Sequence, residues 1–248
     1  MYQKERLERI LDFLNRNGYA TVKELTELLH YSTATVNRDL NALEQMKKIK
    51  RSYGGAEPVK DTAVPLPFRY EKMKAAKKRI GKAAAALIED GDTVFIDNST
   101  TAQYIGRYLT EKKNLTVITN NIMLASFLAE AGVTVKVLGG TIVEVPSMIA
   151  GPETAEQALR YRTDKAFFAT YGISEDGVIQ ANTDTYILLE KAVISRTGKA
   201  FYLVDSDKVG RQGAYLPHTL GDVAGVISDY PFSLACRASY PDTAFITV

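Results

Sequence analysis

The residues able to do chemistry in this chain lie in short polar segments, each directly after a run of β-branched or aromatic residues. Thr93–Ile96 is followed by Asp97-Asn98-Ser99-Thr100-Thr101, which leads into an expected helix over 102–109. Hydroxyls and free backbone N–H groups at a helix start make a cradle for an anion, a phosphate above all. The run 115–119 ends in Thr119-Asn120-Asn121, and 133–138 ends in Gly139-Gly140-Thr141, where missing side chains let a ligand approach the backbone. The run 165–170 leads to Tyr171-Gly172. The run 200–204 ends in Asp205-Ser206-Asp207-Lys208-Val209-Gly210, which sets a cation near the same edge. Singly, a Ser, Thr or Asn before a helix is a cap and Gly-Gly is a turn. Together these five strand ends point to a site for a phosphorylated small molecule.

A second set of groups suits nucleic acid. Thr33, Thr35, Asn37, Arg38 and Asn41 share the outer face of an expected helix that begins after Ser32. Asn and Arg can bond base edges in pairs, and Thr can bond a base or touch the thymine methyl. After this helix, Lys47-Lys48-Ile49-Lys50-Arg51-Ser52-Tyr53-Gly54-Gly55 alternates basic and apolar residues and then turns. That pattern fits a small β-wing whose Lys50 and Arg51 lie on phosphates.

Each set needs a scaffold. Leu7, Ile10, Leu11 and Leu14 recur at helical spacing, with Arg6, Arg9 and Arg16 on the wet side and Asn17-Gly18 as the stop. Thr21 and Glu24 make a capping box for a second helix that should bury Val22, Leu25, Leu28 and Leu29. His30-Tyr31 is the turn. Ser32 then caps a third helix with inner face Val36, Leu40 and Leu43, completing a helix-turn-helix. Residues 57–70, with Pro58, Pro65 and Pro67 and no helical period, read as a linker. An Ala/Lys-rich helix over 71–89 follows, with Met73, Ile80, Ala84, Leu87 and Ile88 as its buried stripe. Strands then alternate with helices, adding 223–228 to those above. The expected fold is α/β: an N-terminal winged helix-turn-helix (1–57), a linker (58–70), and a doubly wound, mostly parallel α/β effector domain (71–248).

Composition narrows the classes. One cysteine, Cys236, precludes an internal disulfide, and two histidines make a zinc site an unpromising reading, so neither metal nor cofactor is expected. The longest uncharged run, 114–129, is 16 residues, broken by Asn, Thr and Ser, and too short to span a bilayer. The first residues are charged and lack the apolar core of a secretion signal, so a cytoplasmic location is expected. Net charge is +2 overall, but +7 over residues 1–80 and −5 over 81–248. Residues 1–60 carry only +3 of this, so placement of basic groups says more than their number.

The quoted residues carry a resemblance. Ser32-Thr33-Ala34-Thr35-Val36-Asn37-Arg38-Asp39-Leu40, then Leu43-Glu44 and Tyr53-Gly54-Gly55-Ala56, resemble the winged N-terminal domain of DeoR-family transcription regulators. Asn37 stands where that family usually has arginine, and Tyr53 replaces a histidine. Farther on, Asp97-Asn98-Ser99-Thr100-Thr101, Thr119-Asn120-Asn121, Leu138-Gly139-Gly140, Gly151 and Asp205-Ser206-Asp207-Lys208-Val209-Gly210 resemble the family's effector domain, in the same order. That resemblance implies a fold of the ribose-5-phosphate isomerase superfamily and a phosphorylated-sugar effector. It further implies that Asp97, Thr100 and Thr101 hold the phosphate, with Asn120, Asn121, Gly139, Gly140 and Lys208 around it. Ser99 replaces a usual glycine. Asn182, Asp184 and Lys191 are weaker candidates for contacting the sugar.

The leading expectation is a repressor of a carbohydrate-use operon that binds a double-stranded DNA operator as a homo-oligomer, dimer or tetramer. Two recognition helices would then meet paired half-sites. The alternative is a sugar-phosphate isomerase-like enzyme with an appended DNA-binding domain, in which Asp97, Asp205 and Lys208 would supply acid, base and phosphate contact.

Overall fold

The computed structural model describes residues 2–46, 48–52, 54–58, 66–144 and 148–248. Lys47, Tyr53 and residues 59–65 lie outside the described residues, as do the side chains of Arg16 and Pro67. The chain divides into two compact units, Met1–Lys72 and Met73–Val248.

In the first unit, α1 (Gln3–Asn17) stops at Gly18, whose positive φ of 76° lets its N–H reach the Leu14 carbonyl at 2.8 Å. After β1 (Ala20–Thr21), α2 (Val22–Leu29) opens on the Thr21/Glu24 capping box. Thr21 Oγ1 accepts from the Glu24 N–H at 3.1 Å, and the Glu24 carboxylate accepts from the Thr21 N–H at 2.7 Å. His30, at a positive φ of 57°, ends α2, and the Ser32 hydroxyl caps α3 (Thr33–Gln45). The strands β2 (Ile49–Ser52) and β3 (Gly55–Pro58) form an antiparallel hairpin, and β1 pairs with β3.

Leu7, Ile10, Leu11, Leu14, Leu25, Leu29, Val36, Leu40 and Leu43 make the core of this unit. The expected inner face of α2 is narrower than anticipated. Leu28 is 36% exposed, because an eight-residue helix that buries Leu25 and Leu29 turns Leu28 to the rim. Val22 is only partly buried. Arg6 leaves the wet face of α1 and reaches the buried Asp39 of α3 with two nitrogens, at 2.7 and 3.1 Å. The expected linker also holds a helix, α4 (Leu66–Glu71). Pro67 falls in its first turn, where a missing N–H breaks no helical bond, and Phe68 packs into the core.

The second unit opens with α5 (Lys74–Ala86), shorter than the expected 71–89 because Met73 is left-handed at φ 55° and separates it from α4. Then come β4 (Thr93–Ile96), the short α6 (Gln103–Gly106), β5 (Thr116–Thr119), α7 (Ile122–Glu130) and β6 (Thr134–Val137). A hairpin of β7 (Thr141–Glu144) and β8 (Met148–Ala150) precedes α8 (Pro152–Ala158) and β9 (Thr163–Ala169). A smaller hairpin, β10 (Gly172–Ile173) and β11 (Ile179–Gln180), precedes α9 (Ile187–Ile194) and β12 (Thr197–Val204). The unit finishes with β13 (Gly225–Ser228), α10 (Leu234–Ser239) and β14 (Ala244–Thr247).

Seven strands form one sheet in the order β14-β13-β12-β9-β4-β5-β6, every pair parallel. Strand alternation explains why it is wound on both faces. Val94 and Ile96 of β4 pack with Ile80 and Ala84 of α5, Ile105 of α6 and Leu124 and Leu128 of α7. Phe95, between them, faces the opposite layer with Ala158 of α8, Leu189 and Val193 of α9 and Cys236 of α10. All parallel strands end on one edge of the sheet, so the polar segments that follow them share that edge. The outermost strand β6 is largely exposed and, among the described residues, pairs on one side only. Among the described residues, no helix is long and apolar enough to cross a membrane.

Candidate functional site

The outer face of α3 carries Thr33, Arg38 and Asn41 exposed and Thr35 and Asn37 half-buried. Thr35 is drawn into the cap, its Oγ1 lying 3.0 Å from the Ser32 hydroxyl. Arg51, from β2, turns back to the helix. Its Nη2 donates to Asn37 Oδ1 at 2.8 Å and its Nη1 to Asn41 Oδ1 at 3.1 Å. Three of the expected DNA-contacting residues are therefore one hydrogen-bonded group spanning helix and wing. Lys50 is exposed on the hairpin and lies 3.9 Å from Glu57 across it.

In the second unit, the loop after β4 is organised by Asp97. Its Oδ1 accepts from the Ser99 N–H at 2.9 Å and its Oδ2 from the Ala169 N–H at 2.8 Å, joining the ends of β4 and β9. Burial pushes its carboxyl up to about 6, against the hydrogen bonds from Ser99 and Ala169 that pull it down. Ser99 Oγ accepts from the Ala102 N–H at 2.9 Å and so caps the following turn. Thr100 and Thr101 are buried. Thr100 Oγ1 accepts a 3.0 Å hydrogen bond from Nζ of Lys77, a residue of α5 that is only 3% exposed.

At the end of β5, Asn121 Oδ1 caps α7 through the Leu124 N–H at 3.1 Å, while Asn120 Nδ2 donates to the Ile149 carbonyl at 2.9 Å. Each amide keeps one buried atom, Asn120 Oδ1 and Asn121 Nδ2, without a hydrogen-bond partner among the described residues. Gly139 and Gly140 meet α8 instead of open space. The Gly139 N–H donates to Gln157 at 2.9 Å, and a Cβ on Gly140, whose φ is 147°, would lie 2.2 Å from Thr154 Oγ1. The missing side chains of these glycines are therefore explained by helix packing.

Beyond β12, Asp205 is 1% exposed, and neither of its carboxylate oxygens has a hydrogen-bond partner among the described residues. Burial raises its pKa, while the charges of Lys208 and Lys77 pull it down. Lys208, on the turn Ser206–Lys208, is pulled down to about 8, chiefly by burial and next by the charge of Arg211. Arg211 pairs with Asp207. Asp229, after β13, accepts from the Ser206 N–H at 2.7 Å and fixes this loop.

Spacing did not single out several groups in this unit. Lys77 reads as one more solvated lysine of an Ala/Lys-rich helix; its position three residues before Ile80 on the buried stripe was the available signal. Glu190 of α9 accepts from the Tyr202 hydroxyl at 3.5 Å, and burial, with the Asp97 charge behind it, pushes its carboxyl up to about 8. His218 Nε2 lies 3.9 Å from Glu190, and burial lowers its pKa. Asp184 and Lys191 are exposed and Asn182 is half-buried.

The geometry thus supplies a polar helix face braced by a basic wing, and a sheet edge holding the buried Lys77 and the half-buried Lys208 beside buried polar atoms without partners among the described residues. Comparison with known proteins identifies the two domains that carry these features. The model of the DeoR-like helix-turn-helix domain matches residues 6–62, and that of the DeoR C terminal sensor domain matches residues 72–230. The chain is 34% identical to the HTH-type transcriptional repressor GlcR of Bacillus subtilis (strain 168), over 92% of this chain and 89% of that one. It is 28% identical to the glycerol-3-phosphate regulon repressor of Escherichia coli (strain K12), over 93% and 92% of the two chains. A solved D-ribose-5-phosphate isomerase in complex with phospho-erythronic acid aligns with 55% of this chain and 54% of its own, at 17% identity and a TM-score of 0.41. The matches to both domains and the coverage of the repressors place the chain in the DeoR family of DNA-binding transcription regulators.

Proposed function

We propose that this regulator represses genes of carbohydrate use and that a phosphorylated sugar, bound at the strand ends of the sensor unit, alters its affinity for an operator. The observation that carries the reading is Asp205. A carboxylate buried to 1% exposure with both oxygens unpartnered among the described residues is costly, and a ligand's hydroxyls would satisfy it. Its neighbours suit the rest of such a ligand. The buried Lys77 and the half-buried Lys208 are cations for a phosphate, and Thr100, Thr101 and Ser99 offer hydroxyls beside it. Asn120 Oδ1 and Asn121 Nδ2 hold one acceptor and one donor in reserve. Asp97 acts by shaping the loop, and Gly139 and Gly140 by letting α8 close on the same edge.

In this reading Thr33, Thr35, Asn37, Arg38 and Asn41 face base edges, and Lys50 and Arg51 set the wing on the backbone. The protein works in the cytoplasm as a homo-oligomer on paired half-sites. The effector must bind the operator-competent and operator-incompetent forms with different affinity; otherwise it shifts nothing. The name of one relative, the glycerol-3-phosphate regulon repressor, links that protein to a small phosphorylated polyol, which supports a phosphorylated signal here. A gel shift on the gene's own upstream region, with and without a panel of phosphorylated sugars, tests it. Specific binding that one sugar phosphate changes is the expected result. Binding indifferent to every member of the panel, with no heat of binding in calorimetry, would remove the sensing half of the proposal.

A further inference from the structure

The group formed by Arg51, Asn37 and Asn41 has a consequence for which base pairs the recognition helix can read, taking α3 as the DNA-reading element proposed above. Asn37 and Asn41 are four residues apart and so lie on one face of α3. A guanidinium only donates, so the atoms facing Arg51 at 2.8 and 3.1 Å must be the two amide oxygens. That assignment follows from chemistry and leaves no freedom to flip either amide. The acceptors of both side chains are therefore committed to a cation. What remains for a ligand are N–H donors: Nδ2 of Asn37, Nδ2 of Asn41 and the outer hydrogens of Arg51, with exposed Arg38 alongside.

Asn reads adenine by accepting from the N6 amine while donating to N7. Each oxygen here keeps a second lone pair, but an oxygen already bound to a guanidinium is a poorer acceptor. The same positive charge also repels the hydrogens of the base amine. Guanine offers the opposite edge, with N7 and O6 both accepting.

We propose that Arg51 is a specificity-determining residue: by holding the carbonyl oxygens of Asn37 and Asn41, it leaves these two amides to read chiefly as donors and so to select guanine over adenine. Arg51 thus acts on base choice through the two amides, from a wing strand, in addition to any contact with phosphate.

The test is selection from a randomised duplex pool by the full-length chain, followed by sequencing. Asn37→Ala and Asn41→Ala locate the base pairs these amides meet, as the positions whose preference disappears. At those positions the parent chain should enrich guanine. In Arg51→Met the amides are freed, and the guanine-to-adenine ratio there should fall about tenfold, the discrimination carried by a good paired contact. Arg51→Lys keeps the charge but lacks the planar fork that bridges two amides, so it should lose the preference while keeping more of the total affinity. Circular dichroism of each variant confirms the fold. Enrichment of adenine by the parent chain at these positions would overturn the proposal. So would undiminished guanine preference in both Arg51 variants, which would leave Arg51 as a phosphate contact or brace alone. A parent chain that enriches no sequence at all would sink the operator-binding reading together with this one, a result distinct from the other two.

Discussion

Lys77 and Thr100 belong to different elements of the sensor unit and are joined by a 3.0 Å hydrogen bond from Nζ to Oγ1. The bond ties α5, the helix that opens this unit, to the loop proposed to hold the phosphate. An ammonium buried to 3% exposure is held where it would be expensive without negative charge nearby. Asp205 supplies part of that charge, and a bound phosphate would supply more.

Replacing Lys77 by Met keeps the aliphatic stem and removes the ammonium. We expect Lys77→Met to weaken binding of the phosphorylated sugar at least tenfold, as the loss of one charge-assisted hydrogen bond of about 1.5–3 kcal/mol implies. Isothermal titration calorimetry reads this directly. Full affinity in a variant that melts like the parent would take Lys77 out of the site.

A pair of substitutions separates the two units. Arg38→Ala should weaken operator binding by roughly 1–3 kcal/mol and leave sugar-phosphate binding intact. Lys208→Ala should leave the ligand-free protein on its operator but insensitive to effector. Gel shifts with and without effector measure operator binding and its response, calorimetry measures sugar-phosphate binding, and loss of both activities in either variant would instead indicate misfolding.

Asp39 is fully buried, and its carboxylate accepts from Arg6 Nε at 2.7 Å, Arg6 Nη2 at 3.1 Å and Gln3 Nε2 at 3.3 Å. Breaking a buried pair strands the remaining charge. Asp39→Asn should therefore destabilise the helix-turn-helix unit by roughly 2–4 kcal/mol, read from urea unfolding. A loss below about 1 kcal/mol would place the pair among weak surface bridges.

These residues also show how much of the molecule the chain discloses before folding. The three N-terminal helices, their caps at Thr21 and Ser32, and six strands of the sheet are legible, because capping and hydrophobic period act over a few residues. The strand Ala244–Thr247 is not, being short and half exposed at the sheet edge. Asp39 is visible as part of a motif, but its partner lies 33 positions away on a helix face that reads as wet. Lys77 and Glu190 escape for the same reason: a charged residue on a helix is normally solvated, and only the tertiary fold desolvates it. Gly139 and Gly140 are legible as a feature, but spacing does not reveal that Thr154 of α8 occupies the room they leave.

Glu190 gives a pH signature. Its folded carboxyl titrates near 8 against an ordinary 4.5, so the native state favours its protonated form. The ionised form therefore costs stability fully above about pH 8, and that cost disappears as pH falls toward 4.5. Glu190→Gln is insensitive to this titration. The melting temperature of the parent minus that of Glu190→Gln should thus rise steadily from pH 8.5 to pH 5.5. His218, whose lowered pKa makes acid destabilising, faces Glu190 at 3.9 Å, so the same comparison in a His218→Gln background isolates the carboxyl. A flat or falling difference would contradict the buried position of the carboxyl.

The exposed strand β6 bears on how this protein behaves when concentrated. Its outer backbone groups form a row that another strand could extend, and Val137 on it is 47% exposed. Lys136 sits in the middle of that row, with its ammonium 5.7 Å from the centre of the Tyr161 ring. A charge at mid-strand makes edge-to-edge stacking of sheets electrostatically unfavourable, so Lys136→Val is expected to lower the concentration at which the protein aggregates, as light scattering would read.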